Sequence, residues 1–291
     1  MSRRKGKNQL SAEERRLIIR NMTPMHNPLM QLLFNENVRL VEELPNGVLG
    51  RSDIRVITVE TEKKFPALLL QKAVQLDVLA TLDDGSKVNI EIQIRETGAD
   101  PFRSRFYHSI MDTNHLRRGE SYNDLPCTYV IFITEKDIFG LGERIYTFTD
   151  LDIRLNLPLN NGQYTIYVNR CAEYDGSRLA DILHDFGCCN PDDMRVDYIR
   201  REVNFYKNTE EGNKVINMMS NSFYAAGMKK GEAKGEAKGR AEGEIIGRVR
   251  EKIKYIGKGF ETVSEAAMDI GISENEFRRI ASENGFTISH I

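Results

Sequence analysis

Two stretches of alternating apolar and polar residues, 74–82 and 87–94, constrain the fold more than any other part of this sequence. They are separated by Asp83-Asp84-Gly85, and in the second stretch Asn89, Glu91 and Gln93 alternate with valine and isoleucine. A period of two predicts a β-hairpin. A three-residue loop with glycine in the left-handed position is a common hairpin closure. That closure places Asp77 opposite Glu91, whereas a two-residue loop would put them on opposite faces.

The predicted register brings two carboxylates together. Their Cβ atoms would lie about 4.5–5.5 Å apart, and two unit charges at 5 Å repel by about 3 kcal/mol at an effective dielectric constant of 20. A divalent cation turns this repulsion into binding, and hard oxygen ligands suit Mg²⁺ or Mn²⁺. The alternative is that Asp77 and Glu91 belong to an ordinary solvated face of the hairpin. The spacing alone does not distinguish this hypothesis from a metal site.

The other elements predict an α/β fold with a central mixed β-sheet flanked by helices. Residues 11–21 and 28–44 have helical periodicity, and Pro45-Asn46-Gly47 is expected to end the second helix. A helix is expected at 101–116, with a helical region at 179–219. The remaining predicted strands are 54–59, 127–134, 146–148 and 164–168.

The order of these motifs resembles the PD-(D/E)XK nuclease superfamily, and most closely the family of recombination-promoting nucleases or putative transposases. The resemblance covers roughly residues 25–225 and implies a restriction-endonuclease-like core plus a helical C-terminal tail. The segments that carry it are LDVLATLDDGSKVNIEIQI (76–94), FRSRFYHSIMDTNHLRRGESYNDLP (102–126), TYVIFITEKDIFGLGERIYTF (128–148) and NRCAEYDGSRLADILHDF (169–186).

The resemblance assigns roles to individual residues. Asp77 matches the metal-binding aspartate and Glu91 the second acidic ligand, and the backbone carbonyl of Ile92 is a further implied ligand. Gln93 stands where the superfamily usually has lysine, and an amide carries no charge and cannot donate a proton as an ammonium does. The superfamily often adds a glutamate from its first helix, for which the candidates are Glu36, Glu42 and Glu43.

A net charge of −2 and a pI near 6.3 require any DNA contact to use a local basic patch. Arginine forks bind phosphates bidentately, although a solvated helix face explains the same charges. Phe102 and Phe106 are expected in the core. The candidate phosphate ligands are Arg103, Arg105, Arg117 and Arg118, with Lys72 and Arg95 near the strands.

The C-terminal region has a different composition. We expect a nuclease-like domain at 1–225, a charged glycine-repeat linker or helix at 226–250, and a small helix-turn-helix-like tail at 251–291. Glycine recurs at every fourth position from 227 to 247, and each interior glycine costs a helix about 0.8–1 kcal/mol. The repeat is therefore either a flexible spacer or a helix that packs against another chain. Ser273 and Glu276 are expected to form a capping box.

Together these observations predict a Mg²⁺- or Mn²⁺-dependent DNA endonuclease linked to transposition, recombination or a mobile element. DNA is the expected partner, with homo-oligomerisation through the tail. The alternatives are a catalytically weakened nuclease-fold protein that binds DNA and a multimerising interaction protein. The four cysteines form no CxxC pair, which favours a cytoplasmic protein, and no apolar run is long enough for membrane insertion.

Overall fold

The computed structural model describes residues 11–35, 37–65 and 74–287, apart from the side chains of Glu96, 222–234 and 236–238. Glu36 and Lys72 lie outside the described residues. The chain divides into two compact units, Met1–Ser220 and Asn221–Ile291. Each unit has its own hydrophobic core.

The first unit is built on a six-stranded mixed sheet. Its order is β1-β2-β3-β4-β8-β5, with β3, β4 and β8 parallel and the other neighbours antiparallel. A separate two-stranded ribbon joins β6 to β7. The strands are β1 Val56–Phe65, β2 Val74–Leu82, β3 Lys87–Gln93, β4 Thr128–Thr134, β5 Ile145–Phe148, β6 Leu151–Asp152, β7 Leu157–Pro158 and β8 Gln163–Asn169.

Helices cover both faces of the sheet, as the sequence predicts. The larger core lies between one face and the helices α1, α2, α3, α5 and α6, and the smaller core lies between the other face and α4. Both faces of the central strands are therefore buried. The helices are α1 Ala12–Asn21, α2 Asn27–Phe34, α3 Val38–Leu49, α4 Pro101–Thr113, α5 Arg178–Gly187 and α6 Asp197–Asn208.

The predicted hairpin register is confirmed. Val78 pairs with Ile90 and Thr81 with Lys87. In the turn, the N–H of Gly85 donates to the carbonyl of Leu82, and Gly85 has a φ of 86°. Glycine adopts positive φ without steric cost, which is why the three-residue loop forms here.

The prediction of one helix at 28–44 is correct at its start but wrong in its continuity and in its C-terminal end. The helix is divided into α2 and α3, with Asn37 capping α3 through a bond from the N–H of Leu40. Pro45 lies inside α3, which ends at Gly50 in the left-handed conformation. An interior proline removes a hydrogen bond, but the buried face that includes Leu44 and Val48 offsets that loss.

The second unit contains most of a long helix and a helical pair. Of the two alternatives for the glycine repeat, the structure has a helix, since α7 runs from Glu210 to Ile256. The helices α8, Val263–Ile270, and α9, Glu274–Glu283, follow, with a left-handed Gly271 between them. Ser273 accepts from the N–H of Glu276, so the serine half of the predicted capping box is present. No helix within the described residues is long and apolar enough to cross a membrane.

Candidate active site

The candidate site lies where β2 and β3 diverge. Their backbone pairing is continuous to Val78 and Ile90. Beyond that pair, the N–H of Ile92 donates to Asp77 Oδ2 at 3.2 Å, and the N–H of Asp77 donates to Glu91 Oε1 at 3.2 Å. Side-chain oxygens thus replace the backbone carbonyls that would have continued the ladder. These two hydrogen bonds keep the side chains of Asp77 and Glu91 close together between the diverging strands.

The Asp77 region of β2 is also irregular. Leu76 and Leu79 both pack in the core beside α4, although residues three apart in a regular strand face opposite sides. On the neighbouring strand, Glu62 has a φ of 52°, which is uncommon for a residue with a side chain. The side chains of β2 therefore switch between the two faces of the sheet at Asp77. This switch lies opposite Glu62, the residue of β1 with left-handed backbone conformation.

Glu91 is the most enclosed member of the site. The alternative of a solvated polar face does not hold for Glu91, because this residue is 0% exposed and α4 covers this side of the sheet. Its carboxylate is surrounded by five hydrogen-bond donors. Oε1 accepts from the backbone of Asp77 and the amide of Asn89, and Oε2 accepts from Gln93, Arg103 and Tyr107.

The two carboxyl groups have perturbed acidity. Burial raises the pKa of Asp77 above its ordinary value, although the hydrogen bond from Ile92 and the charge of Arg103 act in the opposite direction. Burial also raises the pKa of Glu91, and the negative charge of Asp77 adds to this effect. Pairs of carboxyl groups whose simultaneous ionisation is unfavourable in free energy are typical of functional sites.

Gln93 is held in place from two sides. Its Nε2 donates to Glu91 Oε2 at 3.2 Å. Its Oε1 lies where a Cβ on Gly98 would stand, since the two would be 1.9 Å apart. Gly98 therefore leaves the space that the amide occupies, and the side chain at position 93 is directed towards Glu91.

The backbone of Ile92 has the orientation that its predicted role as a metal ligand requires. Its N–H points towards Asp77. In an extended strand the N–H and carbonyl of one residue lie on the same edge, so the carbonyl of Ile92 also lies on the Asp77 side. Its service as a metal ligand stays a prediction.

The sequence predicts that Arg103 lies on a DNA-binding surface, but its guanidinium points towards the acidic cluster. Its Nη2 lies 3.3 Å from Glu91 Oε2, its Nε donates to the hydroxyl of Tyr107 at 3.1 Å, and Nη1 donates to the carbonyl of Gly98. The guanidinium is therefore an internal partner of the acidic cluster. Because 36% of the Arg103 side chain is exposed, part of it still reaches the surface.

The other predicted phosphate ligands are not gathered at the carboxylates. Arg105 lies on the exposed side of α4, and Arg117 and Arg118 are exposed beyond its opposite end. The 13 residues of α4 span about 20 Å, so these two arginines and Arg103 are at opposite ends of the helix. Arg95 is exposed just after β3.

Glu62 is an acidic residue that sequence analysis missed. The pairs Thr61–Val78 and Lys63–Leu76 bracket it opposite Asp77, and its negative charge contributes to the raised pKa of Asp77. The predicted strand at 54–59 ended before Glu62, which concealed this relationship. A strand extended to Phe65 would have revealed it.

The described first-helix candidates have structural partners instead. Glu42 accepts from the N–H of Val56 at 2.8 Å. Glu43 binds Arg39, Arg178 and the hydroxyl of Tyr198. Neither carboxylate is part of the hydrogen-bonded cluster around Glu91.

A second group of potential metal ligands lies at the end of α5, where His184, Asp185 and Cys188 converge. The sequence analysis did not anticipate it. Both oxygens of the buried Asp185 accept backbone N–H groups, from Arg195 and Val196 at 2.8 Å. Burial raises the pKa of the Cys188 thiol to about 11. Asp185 thus anchors the segment before α6, and the thiol favours its neutral form.

The sheet flanked by helices, with an acidic cluster at a diverging hairpin, has the architecture of the restriction-endonuclease-like α/β class. Residues 32–148 match the model of the family described as PD-(D/E)XK nuclease family transposase. This segment is about two fifths of the chain and is similar to that family, so the resemblance expected from its motifs is confirmed. No curated protein and no solved structure matches the chain.

Proposed function

We propose that this protein is a divalent-metal-dependent DNA endonuclease that acts in transposition or recombination. The family supports a nuclease- or transposase-related function with DNA as the substrate. The observation that carries the finer proposal is the enclosure of Asp77 and Glu91 in one hydrogen-bonded cluster, where each has a raised pKa. Two carboxyl groups that resist joint ionisation are a suitable site for a cation.

The donor set fits a hard cation such as Mg²⁺ or Mn²⁺. Asp77 Oδ2 has one partner, and Asp77 Oδ1 has no hydrogen bond to the described residues. Asp77, Glu91 and the carbonyl of Ile92 would hold the ion, and Glu62 could add a carboxylate from β1. A bound cation would supply Lewis-acid activation of water and neutralise charge on the phosphate.

The neighbouring residues would position the reactants. Gln93 presents an amide beside Glu91, and the donor and acceptor capacity that the described residues leave unused suits it to orient a water or a phosphate oxygen. Tyr107 fixes the Glu91 carboxylate through its hydroxyl at 3.1 Å.

Specific contacts favour a second candidate, a nuclease-fold protein that binds DNA without efficient cleavage. Arg103 already supplies a positive charge to Glu91, and Gln93 lacks the charge of the superfamily lysine. Both features would weaken metal binding or stabilisation of the transition state.

Plasmid nicking separates these candidates. Purified protein should nick supercoiled DNA with Mg²⁺ or Mn²⁺ and be inactive with EDTA. Asp77→Asn and Glu91→Gln should reduce nicking by more than a hundredfold, and Glu62→Gln should reduce it by about tenfold. Glu60→Gln is the control, because Glu60 is an exposed carboxylate on the same strand as Glu62.

DNA binding without nicking in any of these metals would favour the second candidate. Equal nicking by wild type, Asp77→Asn and Glu91→Gln would contradict the proposed site.

A further inference from the structure

Two phenylalanines are exposed on α4, contrary to the prediction that they belong to the core. Phe102 is 70% exposed and Phe106 is 39% exposed. The helix buries Ser104, Tyr107, His108 and Met111 against the sheet, which leaves the opposite side in solvent. We call the exposed stripe Phe102, Arg105, Phe106 and Ser109 the outer face of α4.

The outer face borders the candidate active site. Arg103 and Tyr107, which bind Glu91, each directly follow a phenylalanine of the outer face. Successive residues of a helix are rotated by about 100°, so the two stripes are neighbours on the helix surface. A strand held at the carboxylates could therefore continue onto the outer face.

The outer face combines aromatic and positive character. The guanidinium carbon of Arg105 lies 5.2 Å from the centroid of the Phe102 ring. Among the described residues, no carboxylate lies within ion-pair distance of Arg105. The nearby Asp100 carboxylate caps α4 by accepting from the N–H of Phe102 at 2.7 Å. A cation beside an aromatic ring suits a nucleotide, which has a planar base and a phosphate.

We propose that the outer face of α4 stacks unpaired bases of DNA next to the cleaved phosphodiester. In duplex DNA the base faces are covered by neighbouring base pairs, so exposed rings can stack only on unpaired or terminal bases. The preferred substrate is therefore DNA with an overhang, a flap or another single-stranded segment near the cleavage point. This inference rests on the proposed function and adds the substrate class.

Binding to a labelled 20-nucleotide oligo-dT strand and to a labelled 20-base-pair duplex tests the inference. Fluorescence anisotropy is measured in EDTA, so that no metal-dependent cleavage occurs. Base stacking on an aromatic residue contributes on the order of 1–3 kcal/mol, so Phe102→Ala should weaken single-strand binding by about tenfold. Phe102→Ala combined with Phe106→Ala should weaken it further, and duplex affinity should change less than twofold.

Two further variants distinguish stacking from other effects. Phe102→Leu keeps apolar bulk but has no π-face, so it should lose most of the single-strand affinity that Phe102→Ala loses. Phe205→Ala is the matched control, because Phe205 on α6 is 38% exposed and should be neutral. Circular dichroism melting should show that each variant remains folded.

The outcomes separate this inference from the proposed function. Wild-type protein that binds neither DNA, and that also fails to nick plasmid with Mg²⁺ or Mn²⁺, would overturn both; wild-type protein that nicks plasmid but binds no single strand would overturn the inference alone. Wild-type protein that binds DNA, with single-strand affinity unaffected by Phe102→Ala and Phe106→Ala, would overturn the inference alone and point to a different partner for the outer face. An equal loss for strand and duplex would also overturn it, because stacking on unpaired bases would not explain the effect.

Discussion

Arg103 Nη2 lies 3.3 Å from Glu91 Oε2, so the positive charge closest to the buried carboxylate comes from the protein itself. A divalent cation at Asp77 and Glu91 would compete with this guanidinium for the same oxygen. The arginine thus stabilises the metal-free cluster and opposes loading of the proposed site.

Removal of Arg103 should therefore strengthen metal binding. Arg103→Gln is expected to raise Mn²⁺ affinity by about tenfold, since loss of one nearby positive charge removes a repulsion on the order of 1–2 kcal/mol. Isothermal titration calorimetry measures this directly. Arg105→Gln, on the exposed side of the same helix, should leave the affinity unchanged. A lower affinity in Arg103→Gln would mean that the arginine assists metal binding.

The two carboxylates should differ in their contribution to stability. Glu91→Ala leaves the donors of Arg103, Tyr107 and Gln93 without their acceptor, and should lower the free energy of unfolding by about 2–4 kcal/mol. Asp77→Ala loses one backbone contact and relieves repulsion, so it should change stability by less than about 1 kcal/mol. Urea unfolding in EDTA provides the comparison. Equal losses would show that Asp77 is as deeply integrated as Glu91.

Stability should fall with rising pH because of the carboxyl cluster. Both pKa values are raised in the folded protein, so the native state binds more protons than the unfolded chain above the ordinary carboxyl pKa near 4. The free energy of unfolding then decreases from about pH 4 into the neutral range. Burial lowers the pKa of His108 to about 4, which gives the opposite trend between about pH 4 and 6.5.

The difference between wild type and Glu91→Gln isolates the cluster from His108. Urea unfolding in EDTA from pH 4.5 to 8 should show wild type losing stability relative to the variant as pH rises. Saturating Mg²⁺ should reduce that relative loss, because the cation favours the ionised carboxylates. A difference that is constant with pH would contradict the raised pKa values.

Gln93→Lys should keep or raise nicking activity. An ammonium group at this position could stabilise negative charge on the phosphate in the transition state. Gln93→Met has a similar length without hydrogen-bonding capacity and should be less active than wild type. Rates are compared on supercoiled plasmid at saturating Mg²⁺. Loss of nicking in Gln93→Lys with Mn²⁺ affinity retained would give the amide a role that lysine cannot perform.

The C-terminal unit should be dispensable for cleavage. A chain ending at Ser222, close to the division between the two units, should nick plasmid at a rate within about threefold of the full chain, because the acidic cluster lies entirely in the first unit. Light scattering should show less self-association if the tail mediates assembly. A folded truncation that has lost nicking would assign substrate binding to the tail.

The sequence was most informative where local rules determine structure. The turn Asp83-Asp84-Gly85 established the register that brings Asp77 to Glu91, because loop length and glycine conformation are local properties. The burial of Glu91 could not be read from alternation, since a polar face is solvated only if nothing packs over it. In this protein α4 packs there and supplies Arg103 and Tyr107.

The sequence did not predict the position of Glu62 or the separate environments of Arg103 and Arg105, because both depend on contacts between distant parts of the chain. Glu62 comes opposite Asp77 through the pairing of β1 with β2, and the sequence does not show how far β1 extends. Arginines close in sequence on α4 have separate environments, because Arg103 turns towards the strands and Arg105 towards solvent.

Because Gly98 has no side chain, the Gln93 amide occupies the space beside it, and the residue types at positions 93 and 98 should therefore depend on each other. A methyl group at residue 98 would stand 1.9 Å from Oε1 of Gln93, so a larger residue at 98 would require the Gln93 amide to leave its present position beside Glu91. Among related sequences, a larger residue at 98 should occur with a smaller one at 93. Covariation between positions 93 and 98 in an alignment would record this steric constraint, independently of any variation at Asp77 and Glu91.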